Sequence, residues 1–179
     1  MALHPQRILS LFAGIAGLDL GIRLVFPESR TVCFVEWESY AASVLVARME
    51  DKTLDEAPIW SDVTTFDGSR WNGIVDSVSF GFPCQDLSVA GKRKGIKEGT
   101  RSGLFFEACR IIRQVRPRYL FIENVPGLLS NKFMSVVLGE LSEMGFDAEW
   151  GVFSARDVGS THLRKRVFIL GYSTGIRHE

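Results

Sequence analysis

Residues 8 to 25 read ILSLFAGIAGLDLGIRLV, and this stretch decides the fold class of the chain. Ile8 to Phe12 is a short apolar run that predicts a strand, and Gly17 to Val25 has the spacing of a helix. The glycine-rich turn between them would let the backbone approach a ligand closely, beside a helix N-terminus that favours negative charge. Taken alone, this turn fits a purely structural role nearly as well as a nucleotide-binding one. The strand, turn and helix together predict the start of a parallel α/β sheet.

The rest of the chain repeats this alternation of apolar, β-branched runs and helical segments. Further strands are predicted at residues 31–35, 59–60, 75–80, 118–122, 148–153 and 166–171, and further helices at 38–49, 102–115 and 133–144. In the helix at 38–49, the spacing places Tyr40, Val44, Leu45 and Met49 on one face. Residues 81–101 form a long loop rich in Gly, Lys and Arg, and loops of that length are usually lids or binding loops.

The composition is that of one globular domain, which we expect to span residues 1 to 179. No apolar run approaches the ~18 residues needed to cross a bilayer, and the N-terminus lacks the pattern of a secretory signal. The three cysteines are widely spaced, unlike a disulfide or zinc framework. We therefore expect a cytoplasmic, reduced protein that uses no metal and no membrane. The 21 basic and 21 acidic residues cancel, which neither requires nor excludes nucleic acid as a partner.

Acidic and aromatic residues follow the second and third predicted strands. Glu36 ends the second strand, where a carboxylate can accept hydrogen bonds from both hydroxyls of a ribose. Trp37 beside it offers a flat face for an adenine, and Asp62 could accept a hydrogen bond from the adenine amino group. Because the carboxyl ends of parallel strands meet at one edge of a sheet, these groups and the glycine turn predict one nucleotide site.

A cysteine follows the fourth predicted strand in the run SFGFPCQDLS, residues 79 to 88. Cys84 would lie at the carboxyl end of that strand, where open α/β sheets collect their chemistry. A buried, inert cysteine is the common alternative. Cys33 and Cys109 fall within a strand and a helix, where packing explains them better. Cys84 is therefore the candidate nucleophile.

With these segments in view, the chain resembles the catalytic domain of the DNA cytosine-5 methyltransferases over about residues 8 to 172. The family's first motif is matched at Phe12–Gly17, with Ala16 in place of a usual glycine, and the late Gln-x-Arg-x-Arg pattern has His162 in place of glutamine. The motifs occur in the family's order, at residues 12–17, 81–85, 101–106, 123–125 and 162–166. The resemblance implies a Rossmann-like methyltransferase sheet, mostly parallel with a late antiparallel strand.

The resemblance also implies an activity and a set of site residues. The chain would transfer a methyl group from S-adenosylmethionine to C5 of a flipped-out cytosine in double-stranded DNA, leaving S-adenosylhomocysteine. Cys84 would attack C6, and Glu123 would protonate or hydrogen-bond the ring N3. Arg166 would contact the base O2 or the nucleophile region, and Arg164 would support the active-site loop or a phosphate. The cofactor-binding residues would be Phe12, Ala13, Gly14, Ile15, Gly17, Glu36, Trp37, Asp62, Val63, Pro83 and Leu104. The DNA-binding residues would be Gln85, Ser88, Lys92 and Arg93.

The resemblance implies that a full-length member continues past the Arg-x-Arg segment into a target recognition domain and two further motifs, and we expect nothing after Gly171 in these 179 residues to supply them. The chain could therefore be a fragment, a decayed gene product or one subunit of a split enzyme with a C-terminal partner, or it could self-associate through exposed apolar surface. A different class of function stays open, namely a non-catalytic cofactor-binding module. An RNA cytosine-5 methyltransferase is a third interpretation, although GFPCQ fits the DNA enzymes better. The setting we expect is a bacterial or phage-like restriction-modification system.

Overall fold

The computed structural model describes residues 4–82 and 103–175 of the chain. Its seven strands are β1 Arg7–Leu11, β2 Arg30–Val35, β3 Ile59–Trp60, β4 Ser77–Phe80, β5 Tyr119–Asn124, β6 Phe146–Ser154 and β7 Lys165–Ser173. The α-helices are α1 Gly17–Val25, α2 Ser39–Glu50, α3 Leu104–Val115 and α4 Asn131–Glu143. None of the helices within the described ranges is long and apolar enough to cross a membrane.

All seven strands belong to one sheet in the order β3-β2-β1-β4-β5-β7-β6. The pairs from β3 to β5 are parallel, and β7 runs antiparallel to both β5 and β6. The expected sheet, mostly parallel with a late antiparallel strand, is confirmed. The chain proceeds outward from β1 to β3 and then crosses back to β4, so the strand order reverses between β1 and β4. Open α/β sheets bind ligands at the carboxyl ends of the strands at such a reversal.

The main core lies on the face of the sheet that α3 and α4 cover. Leu9 and Leu11 of β1 pack there with Leu120 and Ile122 of β5, because alternate residues of a strand point to the same face. Phe105 anchors α3 in this cluster and is completely buried. A smaller cluster, formed by Ala16, Phe34, Leu45, Met49 and Leu54, packs α2 on the other face. Helices thus cover both faces of the parallel part, as a parallel sheet requires.

The predicted elements agree with the structure to within a few residues, with two differences of substance. The fourth strand begins at Ser77 instead of residue 75, because the chain turns at Asp76, whose carbonyl oxygen accepts hydrogen bonds from the backbone of residues 118 and 119. Tyr40 was expected on the apolar face of α2 but is 78% exposed, whereas Leu45 and Met49 are buried. Tyr40 lies in the first turn of α2, before the segment of the helix that contacts the sheet. The predicted loop at 81–101 lies almost wholly outside the described residues.

Candidate functional site

The loop between β1 and α1 forms one wall of the site. Phe12, Gly14 and Ala16 all have positive φ, at 51°, 54° and 62°, and the amide of Ala13 donates to the carbonyl oxygen of Val35 at 3.2 Å. A side chain at Gly14 or Gly17 would meet no atom within 4 Å, so open space lies in front of the loop. Ala16, where the family usually has glycine, is completely buried in the cluster beneath α2. Its methyl group therefore packs into the protein and does not line the cavity described below.

Glu36, just after β2, fixes this loop through its carboxylate. Its Oε2 accepts a hydrogen bond from the Gly14 amide at 2.6 Å, and its Oε1 accepts one from the Glu38 amide at 2.7 Å. The residue is 8% exposed. A carboxylate oxygen has two lone-pair sites, so each oxygen of Glu36 can still accept a hydrogen bond from a hydroxyl group. The predicted ribose-binding acid is thus held in place by the same loop that would cover the ligand.

The predicted adenine-binding residues lie beyond Glu36 on the same edge of the sheet. Trp37 is 74% exposed, so its ring has room for a stacking partner. Asp62 accepts hydrogen bonds at Oδ1 from the amide and hydroxyl of Thr64, which leaves Oδ2 without a hydrogen bond among the described residues. Val63 is buried, and its carbonyl oxygen accepts a hydrogen bond from Arg110 of α3 at 2.9 Å. Sequence reasoning missed this role of Arg110.

A cavity of about 770 Å³ opens between the β1–α1 loop and the ends of β4, β5 and β7. Its volume falls in the range of small-molecule sites in proteins. Eight of the predicted site residues line it, namely Phe12, Ala13, Gly14, Ile15, Gly17, Glu123, Arg164 and Arg166. Glu36, Trp37, Asp62 and Val63 do not, and Leu104 begins α3 and packs against the main core. The structure therefore brings the described site residues to one edge of the sheet. The residues of the β1–α1 loop and those near β5 and β7 line the cavity, whereas those that follow β2 and β3 lie outside it.

Glu123 and Arg166 form an ion pair on the cavity wall. The Nε of Arg166 lies 2.8 Å from Oε1 of Glu123, and both side chains are partly exposed. The antiparallel pairing of β5 with β7 brings them together, since Glu123 pairs with Phe168, two residues from Arg166. Gly81, at the end of β4, lies against Glu123, because a Cβ there would be 3.7 Å from Oε2. The segment that leads into Cys84 thus begins beside this ion pair.

Asn124, which follows Glu123 at the end of β5, connects this strand to the segment after β4. Its Nδ2 donates to the carbonyl oxygen of Phe82 at 3.3 Å, and its Oδ1 accepts from the Val125 amide at 2.8 Å. This contact ties the end of β5 to the segment after β4. Six predicted site residues fall outside the described part of the chain, namely Pro83, Cys84, Gln85, Ser88, Lys92 and Arg93.

Asp19 is a buried acid on the cavity wall that sequence reasoning missed. It is 1% exposed and accepts hydrogen bonds from the hydroxyls of Ser10 at 2.8 Å, Ser79 at 2.9 Å and Thr31 at 3.3 Å. Burial raises the pKa of Asp19, and the hydroxyl bonds oppose that rise. The available signal was a serine in each of two apolar strands together with an aspartate in the first turn of a helix. Of the residues described, no three His, Cys, Asp or Glu side chains are grouped as metal ligands.

Comparison with known proteins identifies the family. The profile of the C-5 cytosine-specific DNA methylases matches residues 6–178, which is almost the whole chain. The chain belongs to the C-5 cytosine-specific DNA methylase family. It is 36% identical over 164 residues to the type II methyltransferase M.CviJI of Paramecium bursaria Chlorella virus IL3A, covering 92% of this chain and 42% of that protein. It is 33% identical to M.NlaX of Neisseria lactamica, covering 93% of this chain and 52% of that protein.

Solved structures share the fold of this C-5 methylase domain. The S. pombe Dnmt2 methyltransferase superimposes with a TM-score of 0.74 at 21% identity, covering 96% of this chain and 52% of that one. A putative DNA modification methyltransferase encoded within an E. coli prophage superimposes with a TM-score of 0.72 at 22% identity, covering 94% and 47%. The chain thus spans about two fifths to one half of the length of these proteins.

Proposed function

We propose that this chain carries the S-adenosylmethionine site and the methyl-transfer centre of a DNA cytosine-5 methyltransferase. The observation that carries the proposal is the Glu123–Arg166 ion pair on the wall of a ligand-sized cavity, beside the strand end that leads into Cys84. A carboxyl group and a fixed cation at one point are what a cytosine ring needs as charge develops on it. Membership of the C-5 methylase family supports the same assignment.

The residues of this edge fit S-adenosylmethionine, whose sulfonium supplies an electrophilic methyl group when it is bound. Glu36 would hold the ribose hydroxyls, and Trp37 and Asp62 would bind the adenine face and amino group. The open space in front of Gly14 and Gly17 leaves room for the rest of the molecule against the loop. Phe12, Ala13, Ile15, Val63, Pro83 and Leu104 would complete the contacts. S-adenosylhomocysteine would leave after the transfer.

The chain's own residues would make cytosine reactive. The Cys84 thiolate would form a bond to C6, and the ring's π electrons would move toward N3, where Glu123 donates a proton or a hydrogen bond. C5 is then electron-rich and takes the methyl group, and N3 returns any proton it received to Glu123. Loss of the C5 proton to a base returns an electron pair to the ring and expels the thiolate. Arg166 would hold Glu123 in place throughout, and Arg164 would support the loop or a phosphate.

DNA would reach this centre with its target base flipped out, because C5 and C6 are hidden within the stack of a duplex. Gln85, Ser88, Lys92 and Arg93 would contact the DNA near the flipped base, and their contacts with phosphates would position it without reading sequence. A C-terminal partner subunit or covalent continuation would read the sequence. The cytoplasm of a bacterium, or of a cell infected by a virus, is the setting that we propose.

The test uses duplex DNA that contains 5-fluorocytosine, in which fluorine blocks loss of the C5 substituent and traps the thiol adduct. We expect the full chain with S-adenosylmethionine to form a denaturation-resistant DNA complex. The Cys84→Ser variant should not form it, and the matched Cys109→Ser variant should. A complex that survives Cys84→Ser would overturn the assignment of the nucleophile.

The alternative functions appear as other outcomes of the same experiment. Cofactor binding without trapping, with trapping restored when the C-terminal half of a relative is added in trans, would identify one subunit of a split enzyme. Cofactor binding with no trapping under either condition would identify a non-catalytic module. Trapping on an RNA oligonucleotide but not on DNA would overturn the choice of DNA as substrate.

A further inference from the structure

The Asp19 carboxylate lies at the back of the cavity, beneath the loop that joins β1 to α1. Its three hydroxyl partners come from three different strands, Ser10 from β1, Thr31 from β2 and Ser79 from β4. Asp19, Ser10 and Ser79 line the cavity, whereas Thr31 approaches from behind and does not. The cluster therefore connects the cavity floor to the middle of the parallel sheet.

Among the described residues, the cavity wall carries two acidic and two basic side chains, but only one acid and one base of these four form an ion pair. The charged lining residues are Asp19, Glu123, Arg164 and Arg166. Glu123 is paired with Arg166 at 2.8 Å. Within the described ranges, 4–82 and 103–175, no cationic side chain forms a salt bridge with Asp19. A buried carboxylate of this kind usually has a cation nearby, because desolvation without a counter-charge is costly.

We propose that Asp19 is the counter-charge for the methyl donor, and that it makes the cavity discriminate the cationic S-adenosylmethionine from its product. This inference rests on the proposed function. The two molecules differ by one positive charge, because the donor carries a sulfonium where S-adenosylhomocysteine carries a neutral thioether. Asp19 is almost inaccessible, so it acts through its field across the cavity floor and is a specificity-determining residue, not a catalytic one.

The surroundings of Asp19 strengthen that field. Charges interact more strongly in a water-poor protein interior than in water, and salt does not reach a buried group effectively. The three hydroxyls donate to the carboxylate and so support its ionised form. Burial opposes ionisation by raising the pKa of Asp19. A cationic ligand in the cavity favours the ionised form, so ionisation and binding of the donor reinforce each other.

Isothermal titration calorimetry with three ligands tests the proposal. The ligands are S-adenosylmethionine, S-adenosylhomocysteine and sinefungin, which carries an amine in place of the sulfonium methyl and is cationic there. We expect Asp19→Asn to weaken both cationic ligands by ~10-fold and the neutral thioether by less than ~2-fold. The matched control is Ser77→Ala, which removes a buried hydroxyl of β4 that has no hydrogen-bond partner among the described residues, and it should leave all three affinities unchanged.

The possible outcomes distinguish an effect of the Asp19 charge from a structural role of the residue. Equal weakening of all three ligands by Asp19→Asn would show a purely structural role and overturn the inference, as would unchanged affinities. If Asp19→Asn does not fold, as judged by near-UV circular dichroism and thermal unfolding, Ser79→Ala replaces it and should show a smaller loss with the same preference. If the unsubstituted chain binds none of the ligands, the proposed cofactor site fails as well. If the chain binds them without charge selectivity, only the role of Asp19 fails.

Discussion

At the scale of single residues, the two acids proposed to bind the ribose and the adenine, Glu36 and Asp62, already hold the backbone of this protein. Glu36 accepts from the amides of Gly14 and Glu38, and Asp62 accepts from the amide of Thr64. These bonds fix the carboxylates before any ligand arrives, which lowers the entropy lost on binding. Replacing either acid would therefore disturb a loop and a ligand contact together. Variants that change charge and keep shape, such as Asp19→Asn, separate the two effects better than alanine does.

The low reactivity of Cys33 and Cys109 can be predicted from their burial at this same scale. Burial raises the pKa of Cys33 to about 12, and it raises the pKa of Cys109 to about 12 as well. Both thiols therefore stay protonated at pH 8, and a protonated thiol is a poor nucleophile. We expect iodoacetamide to modify Cys84 alone in the native chain and all three cysteines after denaturation, as read by peptide mass spectrometry. Modification of Cys33 or Cys109 as fast as Cys84 would contradict this prediction.

At the scale of elements, the two ends of the parallel strands have different roles, one in forming the cavity and one in stability. The carboxyl edge carries the cavity, whereas the amino edge is tied by Asp76, just before β4. Its carboxylate accepts from the Arg7 amide at 3.0 Å and from both the Nε and the Nη2 of the same residue, at 2.9 and 3.1 Å. The Asp76 amide donates a hydrogen bond to the carbonyl oxygen of Arg7, and the Asp76 carbonyl oxygen accepts one from the Arg118 amide. Asp76 therefore links the starts of β1 and β5. Stability can thus be changed at one edge without touching the site at the other.

Asp76→Asn should lower the free energy of unfolding by about 1 kcal/mol at pH 7, because a bidentate pair with Arg7 is worth more than an ordinary surface ion pair. Burial by itself would raise the pKa of Asp76, but the hydrogen bonds and charge of Arg7 outweigh it and hold that pKa below its usual value. The stabilisation is therefore present above about pH 4 and is lost as pH falls through the folded-state pKa.

Thermal unfolding of both proteins between pH 3 and pH 7 checks this prediction. The difference between them should shrink as the pH falls below about 4. Glu56→Gln, which breaks an exposed pair with Lys52, is the matched control and should change Tm much less. A difference between Asp76→Asn and the unsubstituted chain that stays constant with pH would refute the role of the charge.

Helix α3 should control the adenine subsite through Arg110. The guanidinium donates to the carbonyl oxygens of Val63 and Phe66 at 2.9 and 3.0 Å and is held by Glu107 of the same helix. Arg110→Met would free this turn, which carries two proposed cofactor contacts, Asp62 and Val63. We expect affinity for S-adenosylmethionine to fall by ~5-fold or more, since hydrogen bonds from a charged group are worth ~1.5–3 kcal/mol.

The control for this experiment lies on the same helix. Arg113→Met breaks ion pairs with Glu140 and Glu143 of α4, away from the adenine turn. It should leave the calorimetric affinity unchanged while lowering Tm. Equal loss of affinity in both variants would mean that α3 acts through general stability and not through Arg110.

At the scale of the whole molecule, the sheet is covered unevenly. Around β1 and β4 it has helices on both faces, but among the described residues one face of β5, β7 and β6 leaves large apolar side chains exposed beside α1. Phe168 and Leu170 of β7 are 38% exposed there, and Phe153 of β6 is 56% exposed. A shallow groove of about 340 Å³ runs over these strands and reaches Leu18 of α1. That residues 1 to 179 form one domain stays a prediction, although all seven strands share this sheet.

Such a continuous apolar surface predicts self-association of the isolated chain. We expect light scattering to show species larger than a monomer at tens of micromolar, and the Phe168→Ser/Leu170→Ser double variant to shift the distribution toward monomer. Val46→Ser, on α2 at the other end of the sheet, replaces a similarly exposed apolar residue and should have no effect. A monodisperse monomer of the unsubstituted chain would contradict the prediction.

Local pattern allowed most of the elements and eight of the residues on the cavity wall to be predicted. Helix α1 occupies Gly17–Val25 as its spacing indicated, and β3 occupies Ile59–Trp60. The ends of a helix or strand depend on the residue types within a few positions along the chain, and these can be read from the sequence. Tyr40 was misplaced because periodicity does not say where along a helix the contact with the sheet begins. The place of Cys84 relative to Glu123 stays a prediction.

The sequence by itself determined the family, the parallel α/β character and the identity of the candidate nucleophile and acids, because these depend on residue types in order along the chain. Only the tertiary structure decided that Arg166 pairs with Glu123, through the antiparallel pairing of β7 with β5. It alone brought Ser10 and Ser79 to the carboxylate of Asp19, from strands that are far apart in sequence and adjacent in the sheet. The physical reason is that strand order is set by how the whole sheet buries its two faces, and no local pattern encodes that order.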